Sequence, residues 1–192
     1  FKKKIIFASS CSVYGINNYL IDESSETNPL SLYAQTKVEA EKVIMKKSEN
    51  YLIFRFGTLF GVGDDYSRLR LDLVVNSLTS KAARGETLKV FGGGQWRPLL
   101  HVKDVAEAIL FAVKKDIRGM YNLSNKNYKM CDIAEEIKNV LSDLKVNVEY
   151  TNIKFEDLRN YRVTSEKFKA FGWKPKYNLE YGIREINQKI QE

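Results

Sequence analysis

The chain opens on a run that is apolar at nearly every position. Residues 4–10 predict a strand of a parallel sheet covered on both faces. Residues 15–30 are polar and predict a loop ending at Asn28-Pro29, where proline favours helix entry. Over 30–47 the period changes to that of a helix. Tyr33, Lys37, Ala40 and Ile44 form one stripe, with Ala34, Val38 and Met45 beside it. Residues 51–56 (Tyr-Leu-Ile-Phe-Arg-Phe) predict a second strand, followed by a glycine-punctuated loop from Gly57 to Gly63. This order is a βαβ unit, right-handed by strong preference.

The pattern further on is shorter and mixed. Helical spacing predicts a helix over 69–83 closing at Gly85, and a short strand over 88–91 precedes Gly92-Gly93-Gly94. Asp104 is expected to cap a helix running to Lys115. A strand at 120–123, a helix at 130–143, a strand at 146–150, a short helix at 165–171 and a last helix through Leu179, Ile183, Ile186 and Ile190 complete the reading. The expected class is α/β. Residues 1–65 would be the C-terminal part of a dinucleotide-binding, Rossmann-like parallel sheet. Residues 66–192 would be mainly a smaller mixed α/β substrate lobe, with about 100–125 returning to the sheet.

Charge changes this picture little. The formal net charge of +7 comes from lysines scattered among 24 acidic residues, without a long basic run. That describes solvated faces and at most a local anion site, so no nucleic-acid partner is expected. Cys11 and Cys131 lie far apart and there is one histidine, so neither a zinc site nor a disulfide is expected; reduced thiols suit a cytoplasmic protein. No run approaches the ~18 apolar residues of a membrane span. The first residues mimic a signal peptide, but their apolar run is too short and leads into a serine turn. The chain begins without methionine on what reads as a buried strand, and is expected to be a fragment.

Candidate chemistry gathers at two places. Tyr33 and Lys37, four apart, project from one helix face. A free phenol, with a pKa of about 10, is a poor base near neutrality, and an ammonium within reach favours the phenolate. On spacing alone, a surface helix with an incidental tyrosine and lysine explains the pair better. The second place is Ser9-Ser10-Cys11-Ser12-Val13-Tyr14-Gly15, an apolar strand breaking into a turn that could bring a hydroxyl to the tyrosine. Turn capping is the alternative role for Ser10, and the better one for Ser9 and Ser12.

Four features stand in order: the Ser-Ser-Cys-Ser-Val-Tyr-Gly turn, Tyr33-x-x-x-Lys37, the Arg55–Gly61 strand exit, and Arg97-Pro-Leu-Leu-His-Val-x-Asp104. Together they resemble the extended short-chain dehydrogenase/reductases, in particular the NAD-dependent epimerase/dehydratase family acting on nucleotide sugars. The resemblance implies a Rossmann domain for NAD, with NADP not excluded, and a lobe for a nucleotide-diphosphate sugar. It implies Tyr33 as acid/base, Lys37 as the group that holds the nicotinamide ribose and tunes the tyrosine, and Ser10 as the hydrogen-bond partner of the reacting sugar oxygen. Arg97 would clamp the diphosphate, where a guanidinium matches phosphate geometry; a surface arginine near a turn is the plain alternative. Arg159 resembles a second phosphate-binding arginine. Thr58 stands where many relatives carry a substrate-binding asparagine. Asn76 is a candidate nucleotide contact or a packing residue, and His101 reads as structural.

Two departures narrow the reading. Nothing in the chain matches the family's Gly-x-x-Gly-x-x-Gly turn, so this chain alone is expected to bind dinucleotide poorly. Sugar 4,6-dehydratases carry Asp-Glu directly after the catalytic Ser/Thr; here those substrate-site positions are Cys11 and Ser12. The resemblance therefore implies a nucleotide-sugar epimerase, inverting a sugar carbon through a transient keto intermediate. A reductase or dehydrogenase of the same family, or a catalytically silent binding relative, are the alternatives. Family habit implies a homodimer, with the 30–47 helix as a candidate face.

Overall fold

The computed structural model describes residues 3–64, 66, 68–151 and 159–192. Along the chain run β1 (Ile5–Ser10), a 3-10 turn (Cys11–Tyr14), β2 (Ile16–Ile21), α1 (Leu32–Lys47), β3 (Tyr51–Phe56), β4 (Thr58–Phe60) and α2 (Val74–Ala83). Then come β5 (Leu88–Phe91), β6 (Trp96–His101), α3 (Val102–Lys114), β7 (Gly119–Leu123), β8 (Lys126–Lys129) and α4 (Met130–Val140). A second 3-10 turn (Ser142–Leu144), β9 (Val148–Thr151), β10 (Asn160–Val163), α5 (Glu166–Lys169) and α6 (Leu179–Gln191) follow.

The chain is an α/β protein whose first sheet is wholly parallel, in the order β1-β3-β7. α1 crosses over between β1 and β3, and β7 returns from later in the chain to the far side of β3. The central strand is the most apolar: Leu52, Ile53 and Phe54 are fully buried. Phe54 packs edge-on to Phe168 of α5, with centroids 4.9 Å apart. Burial of such a side chain contributes roughly 1.5–3 kcal/mol. β1 departs from expectation, because it is not covered on both faces: Ile6 is 41% exposed.

A second cluster joins α2, α4 and α6 through Leu78, Ile133, Ile137, Ile183 and Ile186. A third lies under the serine turn and holds Cys11, Val13, Tyr14, Ile21, Val38, Tyr161 and Val163. Smaller sheets complete the molecule: β2 with β10, β5 with β9, and β4-β6-β8. No described helix is long and apolar enough to cross a membrane.

Several sequence expectations are corrected here. Residues 16–21 are not loop but β2, a mostly exposed strand recruited by parallel pairing with β10. Thr58–Phe60 is a strand, not a glycine loop, and pairs with Leu99–His101. α1 begins at Leu32 because the Ser31 hydroxyl accepts from the Ala34 N–H at 3.2 Å. Its buried stripe is Ala34, Val38 and Glu41, which leaves Tyr33 and Lys37 at the stripe's edge. α2 starts at Val74 rather than 69. Asp104 does not cap its own helix: the ring of His101 does, and the Asp104 carboxylate instead accepts from the Lys176 and Tyr177 N–H groups. Asp65 at the expected domain boundary, Phe1 and Lys2 before the first strand, and Asp157 and Leu158 before Arg159 lie outside the described residues.

Candidate active site

β1 carries Ser10 at its C-terminal end, and the crossover helix carries Tyr33 and Lys37, of which Lys37 reaches the β1 backbone. The Ser10 hydroxyl accepts from the Ser12 N–H at 3.1 Å and caps the 3-10 turn, so the turn-capping role is present in this structure. Lys37 reaches back over β1. Its Nζ donates to the Ala8 carbonyl at 2.8 Å and sits 4.9 Å from the Phe7 ring centroid and 5.5 Å from that of Tyr33. The ammonium is thus held beside the tyrosine, whose ring remains 56% exposed.

The other turn candidates point inward. Cys11 is fully buried and its thiol donates to the Arg55 carbonyl at 3.1 Å; burial pushes its pKa well above the ordinary thiol range. Ser12 is 6% exposed. Both expected substrate-site positions are thus buried in this structure. Gly15 closes the turn at φ +67° and lies so near the Asn28 carbonyl that a Cβ there would stand 2.0 Å from its oxygen.

Beneath these residues lies a buried polar network that sequence reasoning missed. Arg55 of β3 and Glu41 of α1 are 4% and 1% exposed and paired through two guanidinium nitrogens, Nη2 lying 2.6 Å from Oε2. The Ser9 hydroxyl donates to the same carboxylate. Arg55 Nη1 donates to the Tyr14 hydroxyl at 2.9 Å, and that hydroxyl donates to Asn122 Oδ1 of β7 at 2.8 Å. Burial works against the Arg55 charge, but the Glu41 carboxylate and the Tyr14 oxygen outweigh it and hold the guanidinium charged. One signal was available: an arginine inside an apolar strand requires a buried partner.

A cleft of about 390 Å³ is lined by residues of β4, α2, β5 and β6. Of the sequence candidates, Thr58, Arg97 and Arg159 line it, together with Asp72, Lys89, Phe91 and Gln95, which the sequence reading did not single out. Arg97 is 5% exposed; its Nη1 donates to the Trp96 and Arg159 carbonyls, which fixes the guanidinium at the wall. Asn76 is not part of this wall. Its amide brackets Gly61, accepting from the N–H at 3.0 Å and donating to the carbonyl at 3.2 Å, as the packing alternative describes. Ser10, Tyr33 and Lys37 also lie off this wall. Of these, Tyr33 is linked to the stretch leading into it: Arg70, paired with Asp72 at 2.5 Å, feels the Tyr33 phenol at longer range.

His101 is fully buried, and its Nδ1 accepts from the Lys103 N–H at 3.2 Å. The proton therefore sits on Nε2, which donates to Glu185 Oε2 at 3.0 Å. Glu185 also accepts from the Val62 N–H at 2.8 Å and pairs with the Lys103 ammonium, clasping α6 to the end of β4. Burial lowers the His101 pKa below 6.5, against the pull of Glu185. A histidine whose folded pKa is depressed takes up protons preferentially when unfolded, so its contribution to stability is lost as pH falls below about 6.5. The Glu185 pKa is also lowered: burial opposes its charge, but bonds from Lys103 and Val62 prevail, which extends the loss below 4.5. A His101→Phe variant of the full-length protein should show a flatter urea midpoint between pH 7 and 5 than wild type; parallel curves would contradict this.

The chain is similar to proteins along its whole length. An uncharacterized protein of Methanocaldococcus jannaschii is 31% identical over 192 residues, covering 95% of this chain and 57% of the relative. The human dTDP-D-glucose 4,6-dehydratase is 28% identical over 204 residues, covering 99% and 57%. Among solved structures, the UDP-N-acetylglucosamine 4-epimerase from Methanobrevibacter ruminantium, in complex with UDP-N-acetylmuramic acid, superposes with a TM-score of 0.82 at 28% identity, covering 97% of this chain and 62% of that one. The chain thus spans about three-fifths of the length of the curated relatives it matches. Residues 2–124, the stretch holding the serine turn, Tyr33, Lys37 and Arg97, match the model of the NAD dependent epimerase/dehydratase family, and the chain belongs to that family.

Proposed function

We propose that the full-length protein is an NAD(P)-dependent nucleotide-sugar epimerase, and that this chain carries its acid/base group and its diphosphate-binding wall. The observation that carries the reading is the Lys37 ammonium, pinned by the Ala8 carbonyl beside the exposed Tyr33 phenol at the end of a parallel strand. Removing hydride from a sugar C–H requires removal of the hydroxyl proton as well. Tyr33 takes that proton, Lys37 stands beside its ring, and Ser10 orients the oxygen once its hydroxyl turns from the Ser12 N–H. The donor set fits the nicotinamide end of a dinucleotide, whose ribose hydroxyls the ammonium would hold. The chain contributes no glycine-rich turn for the pyrophosphate. When bound, a nicotinamide dinucleotide supplies hydride acceptance and return.

Arg97 and Arg159 would meet the diphosphate of the substrate at the cleft wall. Arg97→Gln should weaken binding of uridine diphosphate about 10–100-fold, the loss expected for a hydrogen bond to a charged group. Isothermal titration checks this, and wild-type affinity would remove Arg97 from the site.

Epimerase is preferred to dehydratase because the positions after Ser10 hold a buried thiol and a buried hydroxyl, neither able to act as a carboxylic acid pair. The domain division of 1–65 and 66–192 follows the same reading: the three-stranded sheet would belong to the dinucleotide domain, with β7 returned to it. Exposed Leu32 and Val43 on α1 support a homodimer through that helix. The test is incubation of the full-length protein with NAD and a panel of nucleotide sugars. An isomerised sugar without net reduction of NAD supports the reading; net oxidation or reduction of cofactor in step with product favours a dehydrogenase or reductase instead.

A further inference from the structure

We infer that the buried Arg55–Glu41 pair is the positioning element of the site: it sets the depth and rotation of α1 against β1 and so holds Tyr33 and Lys37 at the mouth of the Ser10 turn. The inference rests on the proposed roles of Tyr33, Lys37 and Ser10. Both halves of that site are tied to the same arginine. On the helix side, Glu41 lies two turns beyond Tyr33 and one beyond Lys37, and is gripped by Arg55 Nε and Nη2. On the turn side, Ser9 bonds the Glu41 carboxylate, Tyr14 accepts from Arg55 Nη1, and the Cys11 thiol donates to the Arg55 carbonyl. Ser9, Cys11 and Tyr14 surround Ser10 in sequence. A movement of Arg55 therefore displaces both the phenol and the hydroxyl.

A packing role alone would not call for charge here. α1 buries only Ala34, Val38 and Glu41, so one of its three buried positions is an ion that leucine could replace at lower desolvation cost. A bidentate guanidinium–carboxylate pair fixes angle as well as distance, which an apolar contact does not. Neither residue lines the cleft of Arg97, and both are buried. They act through Tyr33 and Lys37 and touch no ligand.

The experiment uses the full-length protein and compares wild type, Glu41→Asp, the double variant Glu41→Met/Arg55→Met, and Tyr33→Phe. The double variant removes both charges together, so it leaves no orphaned ion and should remain folded. Expected are a kcat at least tenfold lower in the double variant, unchanged affinity for the nucleotide sugar, and a Tm close to wild type. Glu41→Asp keeps the charge, shortens the reach by one methylene and covers the case in which the double variant does not fold. It should lower kcat and move the pH profile of kcat, because the spacing of phenol and ammonium changes. Wild-type kcat and pH profile in the folded variants, alongside an inactive Tyr33→Phe, would overturn the positioning role and leave the acid/base assignment standing. An active Tyr33→Phe would instead remove the reading on which the inference rests.

Discussion

Tyr33→Phe in the full-length protein should lower kcat by about 10²–10⁴-fold, the range that general acid/base groups contribute. The substitution deletes one oxygen and leaves the ring, which packs at the edge of α1's buried stripe, so folding and nucleotide-sugar affinity should be unchanged. The interaction lost is one made in the transition state, and kcat and kcat/KM should therefore fall together. Steady-state kinetics with a calorimetric affinity check this. The Lys37 Nζ is held at the Ala8 carbonyl, so under the proposed reading Lys37 should not rescue the variant. A rise in KM with kcat intact would instead make Tyr33 a binding residue.

Gly15→Ala should be the most damaging single substitution in the turn. The residue sits at φ +67°, a region costly to residues with a Cβ, and the added methyl would stand 2.0 Å from the Asn28 carbonyl oxygen. That oxygen is backbone, and its segment is held by the bond from the Asn28 N–H to the Val13 carbonyl at 2.9 Å, so relief requires moving the chain that enters α1. Strain and overpacking together should cost about 2–5 kcal/mol. Urea denaturation of the full-length variant should show the lowered midpoint, with turnover falling further because Pro29 to Ser31 set where α1 begins. An unchanged midpoint would show that the turn opens freely.

The β1-α1-β3 unit was legible because each element carries its own periodicity: a continuous apolar run, a helical stripe, a second apolar run. β2, β8 and β10 were not. They are short, and β2 leaves Tyr19 and Leu20 more than half exposed, so only pairing with distant strands makes them strands. The same gap hid part of the site. Tyr33, Lys37 and Ser10 became candidates by residue type and order, and Arg97 by its motif. Glu41 did not, because a carboxylate on a lysine-rich helix reads as solvent-facing until Arg55 is placed opposite it. Asn76 stayed open between ligand contact and packing, because its partner, the Gly61 backbone, is set by the fold rather than by the local pattern. The burial of Cys11 and Ser12 was not legible either, because it follows from the 3-10 turn they form.

The most direct test of the central claim is the reaction of the full-length protein with NAD and its nucleotide sugar in heavy water. With Tyr33 taking the hydroxyl proton and added NAD as the hydride acceptor, return of the same hydride should give a product of inverted configuration and unchanged mass, with no solvent deuterium on the inverted carbon. Loss of water with deuterium incorporated into the sugar would show a dehydratase and contradict the account.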